Sequence, residues 1–104
     1  MNLWLLLPVK PFSRGKSRLA PMLGDAERAS LSQAMFTHVL TTAQRAGGLA
    51  GEIVISHDHG VLALAQQLGA IALVEQAHDL NLALDQARRA AVALGADAIL
   101  VLPA

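Results

Sequence analysis

Four cationic side chains within nine residues form the group in this sequence that is best suited to chemistry. This cationic segment (residues 10–18) contains Lys10, Arg14, Lys16 and Arg18, and it also holds Gly15 and Ser17. No acidic residue precedes Asp25, although the chain of 104 residues has a formal net charge of zero. Lysine and arginine hold phosphate groups by charge-assisted hydrogen bonds, and a glycine lets the backbone approach them closely. The segment therefore predicts a site for a small polyphosphate.

Two other interpretations of the cationic segment remain open. Gly15-Lys16-Ser17 resembles the end of a Walker A loop. A Walker A loop needs a further glycine at the position of Lys10. The Lys-Ser of such a loop also begins a helix, whereas here Pro21 follows soon after. A solvated basic loop without a ligand is the second alternative. Nucleic acid is not predicted as a partner, because it requires a broad basic face rather than one short cationic stretch.

A second group of polar residues follows a short β-branched run at residues 52–56. Ser56 and Asp58 lie where this predicted strand ends, and both are expected to rim the ligand pocket. His57 and His59 flank Asp58 and are residue types that bind metal ions. A metal site is not predicted, since no third ligand is evident and a helix cap explains Asp58.

The hydrophobic pattern predicts four strands that alternate with three helices. Strands are predicted at residues 3–9, 52–56, 70–74 and 98–102, and helices at about 25–46, 59–68 and 80–94. Asp25 and Asp58 are the predicted N-caps of the first two helices. The Leu, Met and Ala positions of the helices, including Leu31 and Met35 at helical spacing, are predicted to be core.

This alternation predicts an α/β fold with parallel βαβ units, the first half of a doubly wound sheet with strand order 3-2-1-4. Ligands of such sheets bind beyond the carboxyl ends of the strands, where the strand order reverses. The reversal falls between the first and fourth strands. The cationic segment follows the first strand, so the topology places it at the expected ligand crevice.

Composition limits the class of protein. Apolar residues make up 54% of the chain and charged residues 15%, which excludes a disordered chain. The absence of cysteine excludes disulfides and fits a reducing compartment. The apolar run at residues 3–7 is far shorter than the ~20 residues of a membrane span, and no basic stretch precedes it as in a signal peptide. We expect a cytoplasmic protein without a membrane partner.

The predicted fourth strand is wholly apolar and is followed only by Pro103 and Ala104. A strand at that position is an exposed hydrophobic edge unless something covers it. We therefore expect a single nucleotide-binding domain, residues 1–104, that is truncated after this strand or covers it by forming a homodimer.

The sequence resembles the guanylyltransferases that make the deazaflavin coenzyme F-420. The resemblance spans the whole chain and is most specific in the cationic segment. The matching stretches are Val9-Lys10-Pro11, Lys16-Ser17-Arg18-Leu19-Ala20-Pro21, Ile53-Val54-Ile55-Ser56 with Asp58, residues 61–65, residues 80–84 and residues 98–104. The resemblance implies the three-layer nucleotidyltransferase fold, which is GT-A-like and Rossmann-like.

The resemblance also assigns roles to individual residues. It implies that Lys10, Lys16 and Arg18 contact the phosphates of GTP and carry catalysis, with Gly15 and Ser17 in the same loop. Asn81 matches the asparagine of the family's Gly-Leu-Asn motif, which places it near the base or ribose. Asp79 stands where that motif has glycine, so it puts a carboxylate beside the base pocket.

The implied reaction transfers GMP from GTP to a phosphorylated three-carbon acid and releases pyrophosphate. The family's acceptors are 2-phospho-L-lactate, phosphoenolpyruvate and 3-phosphoglycerate. The family also uses Mg²⁺, held by an aspartate that follows its Leu-Pro-Ala, and Leu102-Pro103-Ala104 ends this sequence. We therefore expect little transferase activity from this chain alone.

Two further functions compete with the transferase. One is a non-catalytic α/β domain that self-associates through its exposed C-terminal strand. The other is a receiver-like signalling domain, which is disfavoured because Lys10 lies near the place where its acidic cluster would be.

Overall fold

The computed structural model describes residues 1–12, 24–76 and 79–102 of the chain. Its strands and helices alternate in the predicted order. They are β1 (Leu3–Pro8), α1 (Asp25–Ala46), β2 (Leu49–Ser56), α2 (His59–Gln67), β3 (Ile71–Val74), α3 (Leu80–Ala93) and β4 (Ala98–Val101).

The four strands form a parallel sheet with the order β3-β2-β1-β4, which confirms the predicted α/β topology. Strand β1 is central, and Leu6 is paired with Ile53 on one side and with Val101 on the other. Both faces of β1 are covered, because Leu5, Leu6 and Leu7 are all essentially inaccessible to solvent. This double coverage explains why the strand is a continuous apolar run rather than an alternating one.

Helices α1 and α2 cover one face of the sheet. Phe36 and Leu40 of α1 and Val61 of α2 pack there with Leu5 and Leu7 of β1. The buried positions of α1 are Ser32, Phe36 and Leu40. The predicted inner face was therefore wrong by one residue, since Met35 is 42% exposed. Both stripes recur at helical spacing, and only contact with the sheet distinguishes them.

Helix α3 covers the other face with a stripe of small side chains. Ala83, Ala87 and Ala91 are fully buried and pack with Trp4 and Leu6 of β1. Alanine at every fourth position lets the helix lie close to the sheet. The prediction that helical leucines are core was wrong at three positions of the predicted third helix, residues 80–94. The exposed leucines are Leu80, Leu82 and Leu94.

The indole of Trp4 lies directly over Gly51 of β2, with which it is paired in the sheet. A Cβ atom at Gly51 would lie 2.5 Å from the indole carbons Cη2 and Cζ3. Such contacts are far inside the van der Waals distance, so the indole position requires glycine at residue 51. The β2 strand begins at Leu49, three residues earlier than predicted, and this glycine lies inside it.

The helix boundaries agree with the predicted capping residues except at the start of α1. Asp58 caps α2 through a hydrogen bond from the backbone N–H of Gly60 (2.8 Å), as predicted. The N-cap of α1 is Gly24, and the predicted cap Asp25 is instead the first helical residue. Asp25 there forms an ion pair with Arg28, so its carboxylate contacts a side chain rather than the backbone.

Candidate functional site

The carboxyl ends of β1 and β2 lie side by side, because Pro8 and Ile55 are the last paired residues of the two strands. The backbone N–H of Val9 extends this ladder by donating to the Ile55 carbonyl oxygen at 3.0 Å. Lys10 follows immediately and is exposed. The first cation of the cationic segment therefore emerges beside the point where the strand order reverses, as the topology predicts.

Two contacts fix the start of the cationic segment. The backbone N–H of Phe12 donates to Asp58 Oδ2 at 3.4 Å. The Phe12 ring packs against Phe36 of α1, with ring centroids 5.9 Å apart and the planes tilted by 53°. Residues 9–12 are thus held by β2, by the turn that follows it and by α1. This anchoring defines the position from which Lys10 can reach a ligand.

Ser56 and Asp58 both have structural partners at this edge. Ser56 is fully buried, and its Oγ accepts a hydrogen bond from the backbone N–H of Asp58 at 3.1 Å. Asp58 caps α2 with one carboxylate oxygen and contacts Phe12 with the other. The two residues shape the turn after β2 and connect it to the cationic segment. Their direct contact with a nucleotide stays a prediction.

The remaining predicted phosphate ligands lie outside the described residues. They are Gly15, Lys16, Ser17 and Arg18, all within residues 13–23. Their contact with phosphate stays a prediction that rests on the resemblance and on the position of the segment after β1.

Asn81, the predicted base or ribose contact, is an exposed residue in the first turn of α3. Asp79 is the N-cap of this helix, and its Oδ1 accepts from the backbone N–H groups of Asn81 (2.7 Å) and Leu82 (3.4 Å). The carboxylate that replaces the family's glycine is thus engaged in capping. Capping by a carboxylate also suits the positive end of the helix dipole.

A shallow cavity of ≈ 250 Å³ lies beside Asn81, between α3 and the strands β1 and β4. Its floor is apolar, and its rim carries one amide, one carboxylate and one guanidinium. The lining residues are Leu6, Asn81, Leu84, Asp85, Arg88, Ile99 and Val101. Asn81 therefore borders a depression on the α3 face next to the open edge of β4.

The carboxylate on this rim is held in its ionised form. Asp85 accepts a hydrogen bond from Arg88 at 2.6 Å and forms an ion pair with Arg89 at 2.9 Å. The hydrogen bond from Arg88, followed by the positive charge of Arg89, holds the pKa of Asp85 below its usual value, and partial desolvation opposes this shift. Both arginines are exposed.

A side-chain amide of α3 fixes the chain after β3. Gln86 Nε2 donates to the carbonyl oxygen of Val74 at 2.9 Å, and Gln86 Oε1 accepts from the backbone N–H of Gln76 at 3.1 Å. The amide thereby takes the place of a neighbouring strand at the sheet edge. This pair of bonds holds β3 and α3 together just before the turn that carries Asp79 and Asn81.

His57, one of the two histidines considered as metal ligands, has another partner. His57 Nε2 forms an ion pair with Glu75, the residue that follows β3. Within residues 1–12, 24–76 and 79–102, no three His, Cys, Asp or Glu side chains come together as a metal site. We therefore assign no metal ligand among these residues, and the Mg²⁺ ion that the resemblance implies stays a prediction.

Two polar residues of α1 were not singled out from the sequence. Arg28 and Ser32 lie one turn apart on the inner face of the helix. Their side-chain atoms Nε and Oγ are buried and have no hydrogen-bond partner among the residues that the structure describes. The four-residue spacing to Phe36 was the available signal, and it was missed because the inner face was placed on Leu31 and Met35.

No helix in the described part of the chain is both long enough and apolar enough to cross a membrane.

Comparisons with known proteins identify the family of this chain. Residues 3–104 match the family described as "Guanylyl transferase CofC like". The phosphoenolpyruvate guanylyltransferase of Rubrobacter xylanophilus is 40% identical over 104 residues, which are 100% of this chain and 50% of the relative. The phosphoenolpyruvate guanylyltransferase of Sphaerobacter thermophilus is 38% identical over 92% of this chain and 46% of its own length.

A relative with a different named acceptor also matches. The 2-phospho-L-lactate guanylyltransferase of Methanothermobacter thermautotrophicus is 39% identical over 84% of this chain and 39% of its own length. The chain thus spans about half the length of the curated relatives that it matches over its whole extent. A family match over residues 3–104, together with these identities, shows that the chain belongs to the CofC-like guanylyltransferase family.

Proposed function

We propose that this chain is the nucleotide-binding half of a guanylyltransferase that uses GTP as donor. The proposed acceptor is a phosphorylated three-carbon acid, phosphoenolpyruvate or 2-phospho-L-lactate, the two acids in the names of its relatives. An oxygen of the acceptor's phosphate attacks the α-phosphorus of GTP and forms a new P–O bond. The bond between the α-phosphorus and the bridging oxygen breaks, and pyrophosphate leaves with that electron pair.

The chain's own residues contribute binding and charge stabilisation to this reaction. Lys10, Lys16 and Arg18 hold the phosphates and offset the negative charge that builds up on the departing pyrophosphate. Gly15 lets the backbone lie close to the phosphates, and Ser17 lies in the same cationic segment. No protein nucleophile is needed, because the acceptor phosphate is itself the attacking group.

The observation that carries this proposal is the position of the cationic segment directly after β1, in a chain that belongs to a guanylyltransferase family. The segment leaves β1 next to the strand-order reversal, and its first residues are fixed by Asp58 and Phe36. The segment therefore begins at the carboxyl edge of the sheet, where α/β folds bind ligands. Asn81, at the start of α3, is proposed to contact the base or ribose.

Titration of the chain with GTP in the presence of Mg²⁺ tests the donor. We expect saturable binding that Lys16→Ala weakens by about tenfold to a hundredfold, since a charge-assisted hydrogen bond contributes about 1.5–3 kcal/mol. ATP should bind more weakly than GTP. Equal affinity of the wild type and Lys16→Ala for GTP refutes the assignment of the cationic segment.

The matched control is Arg45→Ala. Arg45 is an exposed cation in the last turn of α1, about 30 Å along the helix from its first residue. It changes the net charge by the same amount as Lys16→Ala but lies near the opposite edge of the sheet. GTP affinity should be unaltered in this variant. An equal loss in both variants would mean that only overall charge matters.

A second candidate function is self-association through β4. Within the described residues this strand has a neighbour on one side only, β1. Leu100 and Val101, on opposite faces of the strand, are 46% and 39% exposed. An edge strand of this kind is a template for pairing with a second copy. Sedimentation at high concentration tests this, since a monomer excludes it and a dimer that Leu100→Lys dissociates supports it.

A further inference from the structure

Arg28 lies in an unusual place for a cation. It is the fourth residue of α1, at the end of the helix where the dipole is positive. Its side chain is only 13% exposed, and the Nε atom of its guanidinium is buried. A buried cation at the positive end of a helix is stable only if an anion offsets both the desolvation and the dipole.

The anion that the structure provides is a weak one. The carboxylate of Asp25 pairs with Arg28, but its side chain is 87% exposed, and exposed ion pairs of neighbouring helical residues stabilise little. The Nε atom of Arg28 is buried without a partner among residues 1–12, 24–76 and 79–102. The fork formed by Nε–H and an Nη–H of a guanidinium is the group that binds phosphate in a bidentate manner.

A second unpaired polar atom lies one turn further along the helix. Ser32 is nine-tenths buried, and its Oγ has no partner in the same described ranges. Buried hydroxyl groups are almost always hydrogen-bonded, so an unpaired one indicates a missing partner. Two unsatisfied groups at four-residue spacing on one helix face point to one shared partner rather than to two separate defects.

The position of this face identifies the site to which the two residues belong. It continues to Phe36, whose ring contacts Phe12 at the start of the cationic segment. Arg28 lies eight residues before Phe36, which is about 12 Å further along the helix axis. Because α1 begins at the carboxyl edge of the parallel sheet, Arg28 lies beyond the strand ends, on the same side as Lys10.

We propose that Arg28 and Ser32 form an additional polyphosphate-binding element, contributed by α1 rather than by the cationic segment. The guanidinium donates to phosphate oxygens, and the serine hydroxyl donates one further hydrogen bond. This proposal rests on the proposed function for its ligand class. It makes α1 a second element of the phosphate site, in addition to the cationic segment.

Titration with inorganic pyrophosphate and Arg28 variants tests the proposal. Arg28→Ala should weaken pyrophosphate binding by about tenfold or more, and Arg28→Lys should recover only part of the loss because an ammonium lacks the fork. Ser32→Ala should cause a smaller loss of a few fold. Arg45→Ala, on the same helix about 25 Å away, should bind as the wild type does.

Asp25→Asn distinguishes phosphate binding from a purely structural ion pair. If Arg28 serves only to pair with Asp25, both Arg28→Ala and Asp25→Asn leave pyrophosphate affinity unchanged and lower the unfolding temperature by similar amounts. If Arg28 binds phosphate, Asp25→Asn removes a competing anion and tightens pyrophosphate binding, whereas Arg28→Ala weakens it. Effects of opposite sign support the proposal, and equal effects or none overturn it.

The outcomes also separate this inference from the proposed function. A wild-type chain that binds pyrophosphate through Arg28 but does not bind GTP refutes the proposed donor and leaves the phosphate site intact. A chain in which Lys16→Ala weakens GTP binding while Arg28→Ala has no effect on either ligand refutes this inference alone. Thermal unfolding of each variant shows whether a loss of binding reflects a loss of folded protein.

Discussion

Substitution of Gly51 by alanine should destabilise the fold through a single contact. The added methyl group would lie 2.5 Å from two carbons of the Trp4 indole and 2.9 Å from a third. The indole is rigid and is packed between the sheet and α3, so it cannot swing away as a flexible chain end would. Overpacking of this kind costs about 1–3 kcal/mol.

The expected loss is measurable by thermal or urea unfolding. For a domain of about 100 residues, each kcal/mol lowers the unfolding temperature by about 4–8 °C. The backbone of Gly51 does not have a positive φ, so the alanine is not strained by its conformation. Any destabilisation therefore reports the contact with Trp4.

A double-mutant cycle isolates the indole as the cause. Trp4→Leu removes the ring and is itself destabilising, because a buried aromatic side chain is lost. In that background Gly51→Ala should be neutral or stabilising, by up to about 1 kcal/mol, since alanine restricts the unfolded chain more than glycine does. If Gly51→Ala costs the same with and without the indole, the steric explanation is wrong.

Three further predictions concern the caps, the core and the acid end of the pH scale. Asp58→Ala and Asp79→Ala should each cost about 1 kcal/mol as lost N-caps, measured by urea unfolding, and Asp58→Ala should also weaken GTP binding, because it releases the anchored start of the cationic segment. Phe36→Ala should lower the free energy of unfolding by about 3–5 kcal/mol, whereas Met35→Ala should change it by no more than about 0.5 kcal/mol. A larger effect at Met35 than at Phe36 would mean that Met35 lies on the inner face of α1. The pKa of Asp85 is lowered in the folded state, so its stabilising contribution is present above the unfolded pKa and is lost as the pH falls through the folded pKa. Asp85→Asn should therefore have a lower free energy of unfolding than the wild type at neutral pH and the same free energy of unfolding in acid. A difference between the two proteins that persists in acid contradicts this account.

The order and type of the secondary-structure elements could be predicted from the sequence because their signals are local. Apolar runs marked the strands, and Gly69 and Gly95 marked the ends of the second and third helices with positive φ values of 87° and 99°. Asp58 was identified as a cap from its place before an apolar helical stretch. The strand order followed from the general rules for parallel crossovers and required no knowledge of individual contacts.

The inner face of α1 could not be predicted in the same way. Leu31, Met35 and Val39 form an apolar stripe in which Met35 is exposed and Val39 is only partly buried, whereas the fully buried stripe contains a serine at its second turn. Helical spacing fits both stripes equally well. The choice depends on how α1 rotates to bring Phe36 against Phe12, a contact between residues far apart in the chain.

The sequence by itself determined the fold class, the order of the strands and the place of the cationic segment after β1, since these depend on local patterns and on topology. Tertiary structure alone decided which groups contact the start of that segment and which polar groups are buried. It gave Asp58 a second role as the anchor of Phe12, and it buried Arg28 and Ser32 on the inner face of α1. The physical reason is that burial and hydrogen bonding depend on distances between elements, and no single segment of the chain contains that information.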